Sequence, residues 1–192
     1  MHAHADCAPD VFVDEQGRLM DGVRCRLRPY RPADAGRLAL IADDLAVARW
    51  MTAAFPNPYS LEAAQTWVAL ASRESPVDSF AIEVGGELAG GVGIGPKSGE
   101  HAGVAEFGYW LAPRYWGRGI ATEAARLLAA HAFAERGLRR LEAHVFAPNL
   151  ASARVLEKCG FVREAVLRRA YVERDGAVVD GLLYAKLAPA PA

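Results

Sequence analysis

Residues 104–123, VAEFGYWLAPRYWGRGIATE, carry a strand pattern into Pro113 and then, through a turn with two glycines, pass directly into a helix. Few arrangements accept that succession. It belongs to an α/β fold in which the helix begins where the strand ends, with Pro113 stopping the strand. Gly117 and Gly119 allow backbone conformations closed to other residues and a close approach to a ligand. The first helical turn offers unpaired N–H groups and the positive end of the helix dipole. Together these make an anion site suited to a pyrophosphate, with Arg114 and Arg118 adding positive charge. The turn lacks the Gly-Lys-Ser/Thr ending of a triphosphate loop and the third glycine of a dinucleotide fold. Taken alone, a purely structural turn explains a Gly-x-Gly equally well.

The flanking pattern fills in the rest of the fold. Residues 23–28 alternate apolar and basic side chains, as a half-exposed strand does. Arg31-Pro32-Ala33-Asp34 opens an amphipathic helix reaching Ala46, with proline in its first turn. Ser60 caps a second helix over 61–74. Strands at 79–84, 87–95 and 104–111 form an antiparallel meander across Gly85-Gly86. The helix over 120–136 sets Ile120, Ala124, Leu127, Leu128 and His131 along one stripe. A strand at 141–146, a helix at 150–158 and a hairpin of 161–173 with 178–187 across Asp175-Gly176 complete the order. Val11-Phe12-Val13 suggests a further short strand. Residues 1–21 read as an N-terminal extension, partly irregular, residues 22–188 as a single domain, and residues 189–192 as a tail.

Composition narrows the partners. With 22 basic and 23 acidic residues the formal charge is -1, which gives no electrostatic reason to expect nucleic acid or an anionic membrane. No apolar run approaches the roughly 20 residues needed to span a bilayer, and Asp6 interrupts a start that has no apolar signal core. Cys7, Cys25 and Cys159 are odd in number and spaced for neither zinc nor a disulfide framework, and His2 and His4 lie in a polar terminus. A cytoplasmic protein with unpaired thiols and no metal is expected.

A second motif lies downstream of the turn: Asn149-Leu150-Ala151-Ser152, followed by Cys159-Gly160-Phe161. Read from the residues, Asn149 caps the short helix and Ser152 sits in its first turn. With the Arg-x-x-Gly-x-Gly of Arg114 to Gly119, however, this segment resembles the acyl-CoA motifs of the GNAT N-acetyltransferase superfamily. The string GYWLAPRYWGRGIATEA is similar to its RimJ/RimL-type ribosomal-protein-alanine branch. The stretch RLRPYRPADAGRL and the Tyr184 strand fit as well, so the likeness covers roughly residues 22–188.

The resemblance implies a GNAT fold: a central, twisted, mostly antiparallel mixed sheet of about six to seven strands, flanked by about four helices. A V-shaped splay is expected between its fourth and fifth strands. It implies acetyl-CoA as cosubstrate, the pantetheine arm against backbone groups of Trp110, Leu111 and Ala112, and the pyrophosphate on the amides from Trp116 through Gly117, Arg118, Gly119 and Ile120 to Ala121. Asn149 would contact CoA. Ser152 would protonate the leaving thiolate, a task other branches give to a tyrosine on this helix; none occurs between Asn149 and Gly160. Glu106, on the strand lining the cleft, is the candidate base, with a solvent-facing or arginine-paired carboxylate as the competing reading. His144, Tyr171, Glu173 and Asp180 are further titratable candidates. Cys159, near the end of its helix, reads as core and not as a nucleophile, because the dipole there raises a thiol pKa.

The acceptor is expected to be a primary amine, on a protein N-terminus or a small molecule. Deprotonating a lysine amine at pH 7 costs about 4.6 kcal/mol and an α-amine about 1.1 kcal/mol. An α-amine therefore tolerates a weak base. Trp50, Met51, Phe55, Pro56, Tyr59 and Trp67 form either an aromatic wall over the acceptor or core contacts between helices. A CoA-binding sensor or interaction module with weak catalysis is the alternative, and a homodimer stays open.

Overall fold

The computed structural model describes residues 20–190; the strand expected at 11–13, His2, His4, Cys7 and the last two residues of the tail lie outside the described residues. Strands β1 (Met20–Asp21) and β2 (Arg26–Pro29) form a short edge hairpin. The alternating segment 23–28 is only half strand, because the Glu123 carboxylate accepts from the N–H groups of Val23 and Arg24, both at 2.7 Å, and takes them out of the ladder.

Three helices follow: α1 (Asp34–Ala42), α2 (Leu45–Ala48) and α3 (Leu61–Ala71). The single helix expected to reach Ala46 is broken in two. Asp43 leaves helical geometry (ψ 64°), and the Asp44 side chain accepts from the Ala46 N–H at 2.8 Å, capping a new helix. Ser60 caps α3 as expected, accepting from the Ala63 N–H. At the start of α1 a buried Arg28 grips Asp34 bidentately (2.7 and 2.8 Å) and donates to Glu83 (2.6 Å), tying β2, α1 and the next strand together.

Then come β3 (Ser79–Val84), β4 (Glu87–Pro96), β5 (Val104–Leu111), α4 (Ile120–Ala134), β6 (Arg140–Phe146), α5 (Leu150–Lys158), β7 (Val162–Val172) and β8 (Val178–Leu187). The eight strands make one sheet in the order β1-β2-β3-β4-β5-β6-β8-β7. The GNAT architecture is present, with eight strands and five helices among the described residues; the extra strand is β1. All neighbours are antiparallel except β5 and β6.

Helices cover opposite faces. Phe80 packs edge-on against His131 of α4, and Tyr30 packs against Trp67 of α3 while its hydroxyl overlies Gly91. Phe80 pairs with Val92, so Val92 and its neighbour Gly91 look to opposite sides. The expected stripe of α4, from Ile120 to His131, is buried.

Only Val104, Ala105 and Glu106 of β5 pair with β6, and both strands then run on without each other. This is the expected V. Its apex is held by Glu142, which accepts from Lys97 (2.6 Å) and Arg140 (2.8 Å), while Arg140 also binds Glu164 of β7. These cations pull the Glu142 carboxyl from its ordinary 4.5 to about 2.

Candidate acyl-CoA site

Beyond Leu111 a turn of 3-10 helix over Pro113–Tyr115 leads to Gly117 (φ +73°) and Gly119 (φ +76°), both left-handed. Gly119 is the N-cap of α4 and supplies no side chain to it, so the first-turn N–H groups face outward. A side chain at either glycine would be strained. At Gly119 it would also lie 3.4 Å from the Arg24 guanidinium. Arg24 is therefore a cation at this turn that the sequence did not disclose. Its place follows from the Glu123 clamp, and the clamp fits because Gly22 has no Cβ: one there would meet the Glu123 carboxyl at 2.8 Å.

Arg114 points elsewhere, against Glu87, the Tyr115 hydroxyl and the Tyr115 ring face. Arg118 is exposed and does not line the cleft. Trp116 spends its backbone N–H on the Pro113 carbonyl (3.0 Å), so the free amide run begins one residue later than expected.

The V opens into a cleft of about 880 Å³, lined by Glu106, Trp110, Leu111, Trp116, Gly117, Gly119, Ile120, Ala121, Asn149 and Ser152. Ala112 is outside it: its N–H donates to the Ala89 carbonyl (2.9 Å) and its carbonyl accepts from Tyr115 (2.9 Å). Since Ala112 faces β4, alternation turns the N–H groups of Tyr109 and Leu111 toward the departed β6. The Leu111 carbonyl on that edge accepts from the Trp116 indole at 2.7 Å. The backbone edge open to a peptide-like arm is thus Tyr109 and Leu111, and the side chains of Trp110 and Trp116 flank it.

On the α4–α5 face, Asn149 caps α5 by accepting from the Ser152 N–H (3.1 Å). The Ser152 hydroxyl lies 2.9 Å from the Tyr109 hydroxyl, which is also 3.1 Å from the Ser152 carbonyl. Burial pushes the Tyr109 phenol well above its ordinary value, so it keeps its proton and acts as a donor. No tyrosine stands on α5; the one that meets Ser152 comes from β5. Cys159 is buried, with its Sγ 3.3 Å from the Thr122 carbonyl, and burial raises its pKa; Cys25 is pushed up to about 12 by burial and then by Glu123. Neither is placed for nucleophilic attack.

On the opposite face, Glu106 lies at the apex, its side chain 66% exposed and 4.0 Å from Lys97. His144 lines the cleft beside it and meets the Tyr171 hydroxyl at 3.0 Å. Glu173 is buried against Arg49, and Asp180 accepts from the Arg169 N–H; both are engaged structurally. Trp50, Met51, Phe55, Pro56, Tyr59 and Trp67 all line the cleft, and Phe55 packs on Trp110 at 5.6 Å.

A sheet splayed between two parallel strands, with a glycine turn and helix N-terminus at the open end, defines the class: an α/β acyltransferase fold of the GNAT type. Comparison with known proteins agrees. The model of the GNAT acetyltransferase domain matches residues 24–162. YdaF of Bacillus subtilis (strain 168), provisionally named a ribosomal N-acetyltransferase, is 32% identical over 162 residues, 81% of this chain and 84% of that protein. RimJ of Mycobacterium smegmatis, solved in complex with CoA-disulfide, is 33% identical with a TM-score of 0.76, covering 89% of this chain and 85% of that one. The uncharacterized N-acetyltransferase YoaA of B. subtilis is 37% identical over 103 residues, 54% of this chain. The chain spans about half the length of YoaA and two other B. subtilis relatives that it matches, between 47% and 57%. This chain belongs to the GNAT acetyltransferase family.

Proposed function

We propose that the protein is a cytoplasmic acyl-CoA N-acyltransferase, with residues 22–188 as its catalytic domain, that moves the acetyl group of acetyl-CoA to a primary amine by direct attack. One observation carries the reading: the V passes through the sheet and joins two differently equipped faces. Glu106 and His144 stand on the α1–α3 face, Ser152 and Tyr109 on the α4–α5 face. The pyrophosphate would rest on the first-turn amides of α4, beside Arg24. The thioester carbonyl would meet a backbone N–H near Leu111, that of Tyr109 on the same open edge, which holds the oxyanion. The amine attacks the carbonyl carbon from the Glu106 side, and Glu106, three residues along β5 from Tyr109, takes the proton of the resulting ammonium through a water. The C–S bond breaks, and the thiolate leaves with the Ser152 proton, which solvent restores.

A protein N-terminus as acceptor is supported by the low cost of deprotonating an α-amine, and a ribosomal acceptor agrees with the likeness to YdaF. The test is thiol release from acetyl-CoA with a panel of peptides and small amines. Turnover is expected. Tight CoA binding with no turnover on any amine would instead identify a CoA-binding module.

A further inference from the structure

On the α1–α3 face the sheet has a bare patch. Gly93 lies opposite Gly108 and Gly95 opposite Glu106 in the β4–β5 register, with Gly91 opposite Trp110. These residues share one face. A Cβ at Gly108 would meet nothing within 4 Å, and one at Gly95 only the Glu106 Cβ at 3.8 Å. A Cβ at Gly93 would meet the Asp78 carbonyl at 3.2 Å and one at Gly91 would run into the Tyr30 hydroxyl, so the bare floor is Gly108 with Gly95, between the Trp110 indole and the Glu106 carboxylate. Aromatic groups wall it: Phe55 against Trp110 at 5.6 Å, and Trp50 against Phe146 at 6.3 Å. A floor without side chains and walls of rings fit a flat apolar body, while an ammonium is drawn to the carboxylate at the end.

Resting on the acetyl-transfer reading, we propose that this glycine-floored groove is the acceptor subsite and selects primary amines carried within a few bonds of a flat, apolar, aromatic group. A small arylalkylamine and a peptide beginning with an aromatic residue share that chemistry.

The test has two parts. Quenching of tryptophan fluorescence, from Trp50 and Trp110, follows phenethylamine binding to the CoA-loaded protein, and the same titration is run on Gly108→Val and Gly108→Ala. Saturable binding is expected in the wild type, weakened tenfold or more by valine and less by alanine, with CoA affinity within twofold throughout. Unaltered amine affinity in both variants, or no phenethylamine binding at all, overturns the proposal. In the second part, kcat/KM for phenethylamine and for Phe-Ala-Ala should exceed that for spermidine and Asp-Ala-Ala by tenfold or more. Preference for the charged amines overturns it. The ratio between the two aromatic substrates names the natural source. Amine binding without any turnover would remove the acetyl-transfer reading and leave the groove standing.

Discussion

The Tyr109–Ser152 contact sets what each hydroxyl can do. A phenol held protonated by burial must spend its single proton on the Ser152 Oγ or on the Ser152 carbonyl. When it donates to Oγ, the serine proton is free to turn into the cleft. In the proposed reaction Tyr109 then acts through Ser152 as a positioning residue. Ser152→Ala should lower kcat by about 10- to 100-fold with little change in acetyl-CoA KM, as expected for a group that acts on the leaving thiolate. Tyr109→Phe should lower kcat by about tenfold, and the double variant should be no slower than Ser152→Ala alone. Additive losses in steady-state kinetics would separate the two residues. This pair was not legible beforehand because its members are 43 positions apart on different elements. Asn149, by contrast, was legible as a cap, since capping is a local pattern.

At the scale of elements, the turn before α4 is where sequence spoke most clearly. Two glycines ahead of a helix require left-handed backbone, and both have it. Gly119→Glu would add strain and place a carboxylate beside Arg24 and the first-turn amides, where it would occupy the position proposed for the phosphate. CoA affinity by calorimetry should fall by about 100-fold or more, while Gly119→Ala reports the strain alone. Arg24→Gln should weaken CoA about fivefold and flatten its salt dependence. What stayed hidden depends on distant partners: the Glu123 clamp that brings Arg24 in, the Arg114–Glu87 pair that draws Arg114 away, and the side-chain cap at Asp44 that splits the first helix. The apex of the V gives a pH signature. Glu142 has a lowered folded-state pKa, so its ion pairs stabilise the fold above about pH 4.5, and the contribution fades as the pH falls toward about 2. Glu142→Gln should cost about 1–2 kcal/mol in denaturant unfolding at pH 7. The gap to wild type should close across that acid window, and a gap constant with pH would dismiss the assignment.

The whole molecule is organised as two ends of one sheet that meet over the cleft. The roof segment between α2 and α3 belongs in sequence to the N-terminal half, yet it is fastened by the far hairpin. Arg174, just beyond β7, donates to the carbonyls of Ala48 (2.7 Å) and Phe55 (2.6 Å) and reaches that of Thr52 (3.4 Å), while Arg49 pairs with the buried Glu173. Carbonyls at 48, 52 and 55 are thereby held by one planar guanidinium, whose fork geometry restrains them relative to each other. The aromatic side chains of this roof, Trp50 and Phe55, pack on Phe146 and Trp110 on the α1–α3 face, proposed for the amine, whereas the turn proposed for CoA leads into α4 on the opposite face. Removing the clamp should therefore loosen one substrate and spare the other. Arg174→Ala loses hydrogen bonds from a charged donor, together about 2–3 kcal/mol, which lowers Tm by roughly 5–10 °C in a chain of this length. In steady-state kinetics the amine KM should rise several-fold with acetyl-CoA affinity unchanged, and Arg174→Lys should recover little because an ammonium cannot span three carbonyls. Equal losses for both substrates would mean that the clamp supports the fold as a whole and not the roof of the acceptor groove.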